Sequence, residues 1–263
     1  FRKIAIRNAG SVLLLPQTVG PFGRVDSFLA RYSMAGAGAV AVRDPYSAQV
    51  ATKLSRGAVE LTPDLVFLLP SERGRPLLSG EVFINVSGLL WNENPHVDFR
   101  RYRDLMIDVS EKLIAELGRT RIVAFAHVLA GSDSDNDLDA VKELCSRVGI
   151  RAVVPSSLED ARKQLACAGV VVGARMHASL NAISQGTPCV PLAYSRKFGP
   201  LMDDLGWDLY CDLRSGVTSD HVVGLAVRAL GSREKAESVA AVSQRRVHQF
   251  VMNARDSLSM ADE

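Results

Sequence analysis

Four familiar catalytic or phosphate-binding signatures are absent from this sequence. It has no glycine-rich phosphate loop of the G-x-x-x-x-G-K-[ST] kind, no G-x-G-x-x-G, no H-E-x-x-H and no G-x-S-x-G. Charge of one sign is lacking too. The net charge is +2 over 263 residues, too little for a nucleic-acid-binding or membrane-binding surface, so no nucleic-acid partner is expected. No apolar run approaches the roughly 20 residues that span a bilayer, and no secretory signal is visible. Aromatic residues make up only 6%. The four cysteines, Cys145, Cys167, Cys189 and Cys211, contain no C-x-x-C pair; each lies in an apolar pattern, which predicts buried, reduced thiols in a cytoplasmic protein. Their spacing of 22 residues is not matched by any repeat in the flanking residues.

What is present is a substantial apolar content, 47%, in short runs alternating with helical patterns. Strands are expected at Ser11–Leu15, 39–42, 59–61, 82–86, 121–126, 152–154, 170–172, 189–193 and 209–211. Helices are expected at 25–37, 45–54, 99–117, 137–148, 158–168, 176–185, 198–205, 218–230 and 234–257. Pro70–Glu81, with two prolines and two glycines, reads as a linker. The alternation predicts an α/β fold of two Rossmann-like parallel-sheet units, residues 1–78 and 79–263, with the last helix packing back on the first. The basic cluster Arg245-Arg246-Val247-His248 reads as the wet face of that helix.

The organising stretch is Gly169–Leu180. Val170-Val171-Val172 is a buried strand, Gly173 ends it, and Met176, Leu180 and Ile183 recur on one face of the next helix. Arg175 and His177 thus fall in a first helical turn at the carboxyl end of a strand, where free N–H groups and the helix dipole favour an anion such as phosphate or carboxylate. The structural alternative pairs Arg175 with a surface carboxylate and makes His177 a turn cap. Gln17, Arg43 and His127 also follow strands. Arg43 suits the same anion or an inter-domain salt bridge. His127 suits a proton donor or a hydrogen-bonded strand-end histidine. Gln17 ties the Gly/Pro loop or touches ligand, and Lys197 lines a cleft or is solvated. Asp44 and Asp64 read as caps. Asp133, Asp135 and Asp137 alternate, but a calcium loop fails because Leu138 and Leu144 hold its glycine and final glutamate positions. A sugar-nucleotide metal site remains conceivable there. A polar loop with a helix N-cap is simpler, and no metal is expected.

Several segments, in order, resemble the polysaccharide pyruvyl transferases: Leu14-Leu15-Pro16-Gln17-Thr18-Val19-Gly20-Pro21-Phe22, Val42-Arg43-Asp44-Pro45-Tyr46-Ser47, Pro63-Asp64, Asn85-Val86-Ser87-Gly88 and His127 with Asp133. The likeness is sharpest at Val172–Leu180, Gly186-Thr187-Pro188 and Tyr194-Ser195-Arg196-Lys197. The resemblance implies a fold like the two-domain glycosyltransferases called GT-B. It also implies phosphoenolpyruvate as donor substrate with no cofactor, and a sugar acceptor, lipid-linked acceptors included, that becomes a pyruvate ketal in a cell-surface polysaccharide or glycolipid. By the same resemblance Arg175, His177 and the Met176 backbone hold the donor, with Arg43 assisting. Arg175→Ala is then expected to abolish donor binding and leave the fold intact. Work at the inner face of the cytoplasmic membrane is implied. Family members usually open with a Gly/Asn/Asp-containing strand-to-helix turn not found here, so an incomplete first unit is expected. The rivals are a nucleotide-sugar glycosyltransferase of the same architecture and a non-catalytic anion-binding remnant.

Overall fold

The computed structural model describes residues 12–71, 80–129 and 135–259. They form two compact units. One contains the described residues up to Leu69, together with Asp203–Leu205 and the chain from Ala241; the other contains Pro70–Met202 and Gly206–Ala240.

In the first unit three parallel strands, β1 (Leu13–Gln17), β2 (Ala39–Val42) and β3 (Ala58–Leu61), pair in sequence order. Helices α1 (Arg24–Ala35) and α2 (Pro45–Leu54) connect them. The expected first strand stopped before Pro16, yet β1 runs through it. The register of β1 against β2 is irregular between Leu14 and Gln17, so a residue without an N–H is tolerated there. Asp44 opens α2 as expected: its carboxylate accepts from the Ser47 N–H at 2.8 Å. Asp64 likewise accepts from the Val66 N–H at 3.0 Å, opening a 3-10 turn at Leu65–Leu68. Phe28, Leu29 and Tyr32 share one side of α1, and that side is exposed among the described residues.

The second unit carries six parallel strands: β4 (Val82–Asn85), β5 (Ile122–Phe125), β6 (Arg151–Val153), β7 (Val170–Gly173), β8 (Cys189–Ala193) and β9 (Cys211–Asp212). Their spatial order is β6-β5-β4-β7-β8-β9. Counted within the unit this is the Rossmann order 3-2-1-4-5-6, whose direction of winding reverses between β4 and β7. Among the described residues this unit also holds helices α3 (Gly88–Trp91), α4 (Phe99–Leu117), α5 (Leu138–Val148), α6 (Leu158–Cys167), α7 (Met176–Ser184) and α9 (Ser219–Leu230), and the start of α8 (Phe198–Leu205), whose last three residues belong to the first unit. A long α10 (Arg233–Ser259) starts in this unit and ends in the first. Every residue of β4, β5, β7 and β8 is buried, which is why these strands read as unbroken apolar runs. The edge strand β6 has two exposed positions of three.

Some local expectations shift. The expected last strand, Leu209–Cys211, forms at Cys211–Asp212. Helix α3 had no periodic signal, because four residues cannot show a helical period. Residues 72–79 of the expected linker lie outside the described residues. Cys189 and Cys211 are buried, whereas Cys145 and Cys167 are only half-buried; all four are unbonded thiols. The basic cluster is not all wet. Val247 is buried, and Arg246 pairs with Asp204 at 3.0 Å.

Gly173 closes β7 opposite Asn85 of β4. A β-carbon there would lie 2.6 Å from the Asn85 Cβ and 2.7 Å from its carbonyl oxygen. The two strands approach too closely at their ends for any side chain. Gly173→Ala should therefore force β4 and β7 apart and cost roughly 1–3 kcal/mol, the usual cost of overpacking. Urea denaturation of the two proteins measures this; equal midpoints would contradict it.

Candidate functional site

The carboxyl ends of β4 and β7 flank the reversal point of the sheet, where ligands bind in open parallel sheets. Beyond the last ladder pair, side chains tie the strand ends together. Asn85 donates from Nδ2 to the Phe125 carbonyl at 3.0 Å and accepts the Arg175 N–H on Oδ1 at 3.2 Å. It thereby ties β4 to the ends of β5 and β7. Gly88 begins α3 with its N–H on Asp137 at 2.9 Å. A β-carbon at Gly88 would lie 1.9 Å from the Asn136 carbonyl oxygen, so only glycine lets the two loops touch.

Asp137 is the hub. Its fully buried carboxylate accepts from the N–H groups of Gly88, His127 and Val128, the last two at 3.1 and 2.9 Å. It also accepts from the Arg175 guanidinium through Nε at 3.0 Å and Nη2 at 2.8 Å. The helix N-cap expected of this polar loop comes from Asn136, whose Oδ1 accepts the Leu138 N–H at 2.9 Å, and not from Asp137. Asp137 precedes α5, but its own backbone is already helical and its side chain makes no cap bond. The carboxylate turns away from its own helix because three loop N–H groups and an arginine converge on it.

Arg175 belongs to the same network. Its side chain is only 10% exposed, held by Asp137 and by Asp135, whose carboxylate lies 2.6 Å from Nη1 and whose carbonyl also accepts from Nη2. Burial works against its charge, but the two carboxylates outweigh that and raise its pKa further. The guanidinium thus organises the loops from within and is not a cation presented to solvent. The carboxylates of Asp135 and Asp137 are committed to it, which leaves little for a metal; Asp133 lies outside the described residues. Among the described residues no three His, Cys, Asp or Glu side chains are placed to hold a metal ion.

His127 follows β5 and is drawn into the same cluster. Above all burial pushes its ring down to about 4; Asp137 opposes this, and His177 and Arg175 add to the fall. The hydrogen bonds agree. Arg162 donates to Asn181 Oδ1 at 2.6 Å, so the Asn181 amide must present its NH2 to His127 Nε2, 3.3 Å away. Nε2 is then an acceptor, and the proton sits on Nδ1 of a neutral ring. The sequence offered His127 as a proton donor; at neutral pH its environment keeps it uncharged. The same Asn181 amide donates to the His177 carbonyl at 2.8 Å, locking the first turn of α7.

Arg175 is the N-cap of α7, Met176 and His177 are its first two residues, and the His177 side chain is exposed. Main-chain N–H groups of such a first turn have no partner within the helix. Tyr102 borders the cluster: its buried phenol accepts from the Ser87 N–H at 3.0 Å, and burial raises its pKa. The Ser87 hydroxyl itself is buried without a partner among the described residues. Lys197 lies half-buried in the turn between β8 and α8, at this same edge of the sheet.

Gln17 and Arg43 belong to the first unit. Arg43 pairs with Asp64 at 2.6 Å and donates to Thr18 Oγ1 at 3.0 Å. The salt bridge lies within the unit rather than between domains. The Gln17 carbonyl accepts the Arg43 N–H at 3.3 Å, so the two strand ends are joined through backbone. Asn85, Asp137, Arg162 and Asn181 were not selected as site residues from sequence. A spacing signal existed for one of them: Asn181 stands one helical turn after His177.

Two parallel-sheet units, the second in Rossmann order with polar groups gathered at its reversal point, define a two-unit α/β protein of the GT-B kind. Solved structures support that class. HepE from Anabaena, determined with UDP-glucose, superposes with a TM-score of 0.59 at 11% identity, covering 95% of this chain and 72% of that one. The pneumococcal O-GlcNAc transferase GtfA, in complex with UDP and GlcNAc, gives 0.56 at 9% identity, covering 98% of this chain and 54% of that one. A putative UDP-N-acetylglucosamine 2-epimerase from Listeria monocytogenes gives 0.62 at 10% identity over 94% of this chain and 68% of that one. Among curated proteins nothing matches. The family is set by sequence: the model of the polysaccharide pyruvyl transferases matches residues 1–196, and the chain belongs to that family. No helix among the described residues is long and apolar enough to cross a membrane.

Two outcomes follow. Asp137→Ala strands the buried Arg175 beside Asp135 alone and should cost about 3–5 kcal/mol, measured by denaturant unfolding. His127 has a folded pKa near 4 against 6.5 when unfolded, so the unfolded chain binds the extra proton between those values. Its contribution is full above pH 6.5 and is lost as pH falls toward 4, on the order of 3 kcal/mol in all. His127→Gln should flatten the stability profile over that window; an unaltered slope would show that His127 does not titrate there.

Proposed function

We propose that this protein transfers the enolpyruvyl group of phosphoenolpyruvate to two hydroxyls of a sugar, forming a pyruvate ketal. The observation that carries the reading is the exposed His177 in the open first turn of α7, at the reversal point of a sheet in a pyruvyl transferase family member. The donor phosphate lies on the first N–H groups of α7, Met176 among them, and on the His177 imidazole. Arg175 fixes that turn from behind through Asp137, and Asn181 fixes it through the His177 carbonyl. Arg175 is thus a positioning residue in this reading, and Arg43, its charge met by Asp64, receives no phosphate contact.

The chemistry needs no redox partner. A protonated His177 delivers its proton to the methylene carbon, and the first sugar hydroxyl adds to the neighbouring carbon, giving its proton back to the ring. The carbon–oxygen bond to phosphate then breaks, the second hydroxyl adds, and its proton leaves on the phosphate. The sum is phosphoenolpyruvate plus diol giving ketal plus inorganic phosphate. The neutral His127, with Nε2 facing Asn181, takes no part in the proton transfer.

Arg175→Ala no longer isolates ligand binding, because it also unpairs buried Asp137. His177→Gln is the cleaner variant, since its side chain is exposed. Titration calorimetry should show phosphoenolpyruvate bound by the unaltered protein and roughly ten- to a hundredfold more weakly by His177→Gln, the worth of one charge-assisted hydrogen bond. UDP-glucose should not compete. Equal affinity of the two proteins for phosphoenolpyruvate, or displacement by UDP-glucose, would overturn the reading.

A further inference from the structure

A cavity in the same unit takes no part in these steps. Its volume is about 340 Å³, within the range of small-ligand sites, roughly 300–1,000 Å³. One wall is the turn into α4 and its first turns; the other is the segment after β9. The floor is apolar and half-buried, formed by Val97, Leu105 and Val217. The rim is polar. Arg214 stands there, already neutralised by Asp212. Arg101 stands there too, exposed, and its guanidinium has no carboxylate partner among the described residues. Asp98 caps α4 through one oxygen, which accepts from the Arg100 and Arg101 N–H groups at 2.9 and 3.3 Å. Its second oxygen remains an acceptor.

The cavity adjoins the reversal point. Tyr102 lines it and holds the Ser87 N–H on the other side, and the His96 ring on its rim lies 5.2 Å from the ring of Tyr194, the residue that follows β8. One uncompensated cation, one carboxylate acceptor and an apolar floor suit a ligand with an anionic group, hydroxyls and a C–H face. A nucleobase is less well served. The Tyr102 ring is buried in the protein, and the His96 ring is already against Tyr194.

We propose that this cavity binds a sugar phosphate, Arg101 taking the phosphate, Asp98 a hydroxyl and Val97, Leu105 and Val217 the C–H face of the ring. That this sugar is the acceptor rests on the pyruvyl-transfer reading above; the binding itself does not. Calorimetry with glucose 1-phosphate, galactose 1-phosphate and mannose 1-phosphate tests it, using the full chain and an Arg101→Gln variant checked for native circular dichroism. At least one of the three should bind, at least tenfold more weakly to Arg101→Gln, while inorganic phosphate alone binds more weakly than that sugar phosphate. Phosphoenolpyruvate affinity should be the same in both proteins. If no sugar phosphate distinguishes the two proteins, or if UDP binds tenfold tighter than all three with the same dependence on Arg101, the proposal falls. Loss of phosphoenolpyruvate binding alone, with sugar phosphate still held through Arg101, would instead remove the donor reading and leave this subsite standing.

Discussion

The buried ion pair of Asp137 and Arg175 is the constraint on which the site depends. A lone carboxylate at zero exposure is costly, and so is a lone guanidinium. Each is tolerable here because the other is within 3 Å and because backbone N–H groups satisfy the remaining lone pairs. In meeting those demands the pair fastens together the loops after β4, β5 and β7. Three segments far apart in sequence acquire one geometry.

That arrangement separates support from chemistry. Arg175, Asp137, Asn85 and Asn181 face inward and fix positions, while His177 and the first turn of α7 face outward. Charge is distributed accordingly. The buried arginine is neutralised by two aspartates, so it adds no free positive charge to the surface beside the open end of α7. His127 lies on the boundary, kept neutral by burial and oriented by an amide whose own direction is dictated by Arg162.

The family and the general fold were legible because they rest on local pattern. Val-rich runs ending in glycine mark strands buried on both faces, and caps such as Asp44 and Asp64 mark the starts of turns and helices from their own side-chain chemistry. The expected α4, Phe99–Leu117, forms with those bounds. What stayed hidden was pairing at a distance. Arg175 and Asp137 are 38 residues apart, and Asn85 meets Arg175 across 90. Residue type alone does not distinguish an arginine aimed at a ligand from one satisfied by a buried aspartate.

The order of apolar and polar residues along the chain therefore determined which segments are strands, which are helices, and that a histidine and an arginine follow the same strand. Only the tertiary structure decided the strand order β6-β5-β4-β7-β8-β9, the reversal between β4 and β7, and which of those two side chains faces solvent. The physical reason is that secondary structure answers to neighbours within a few residues. The direction of a charged side chain answers to whichever opposite charge the fold brings within reach in low dielectric.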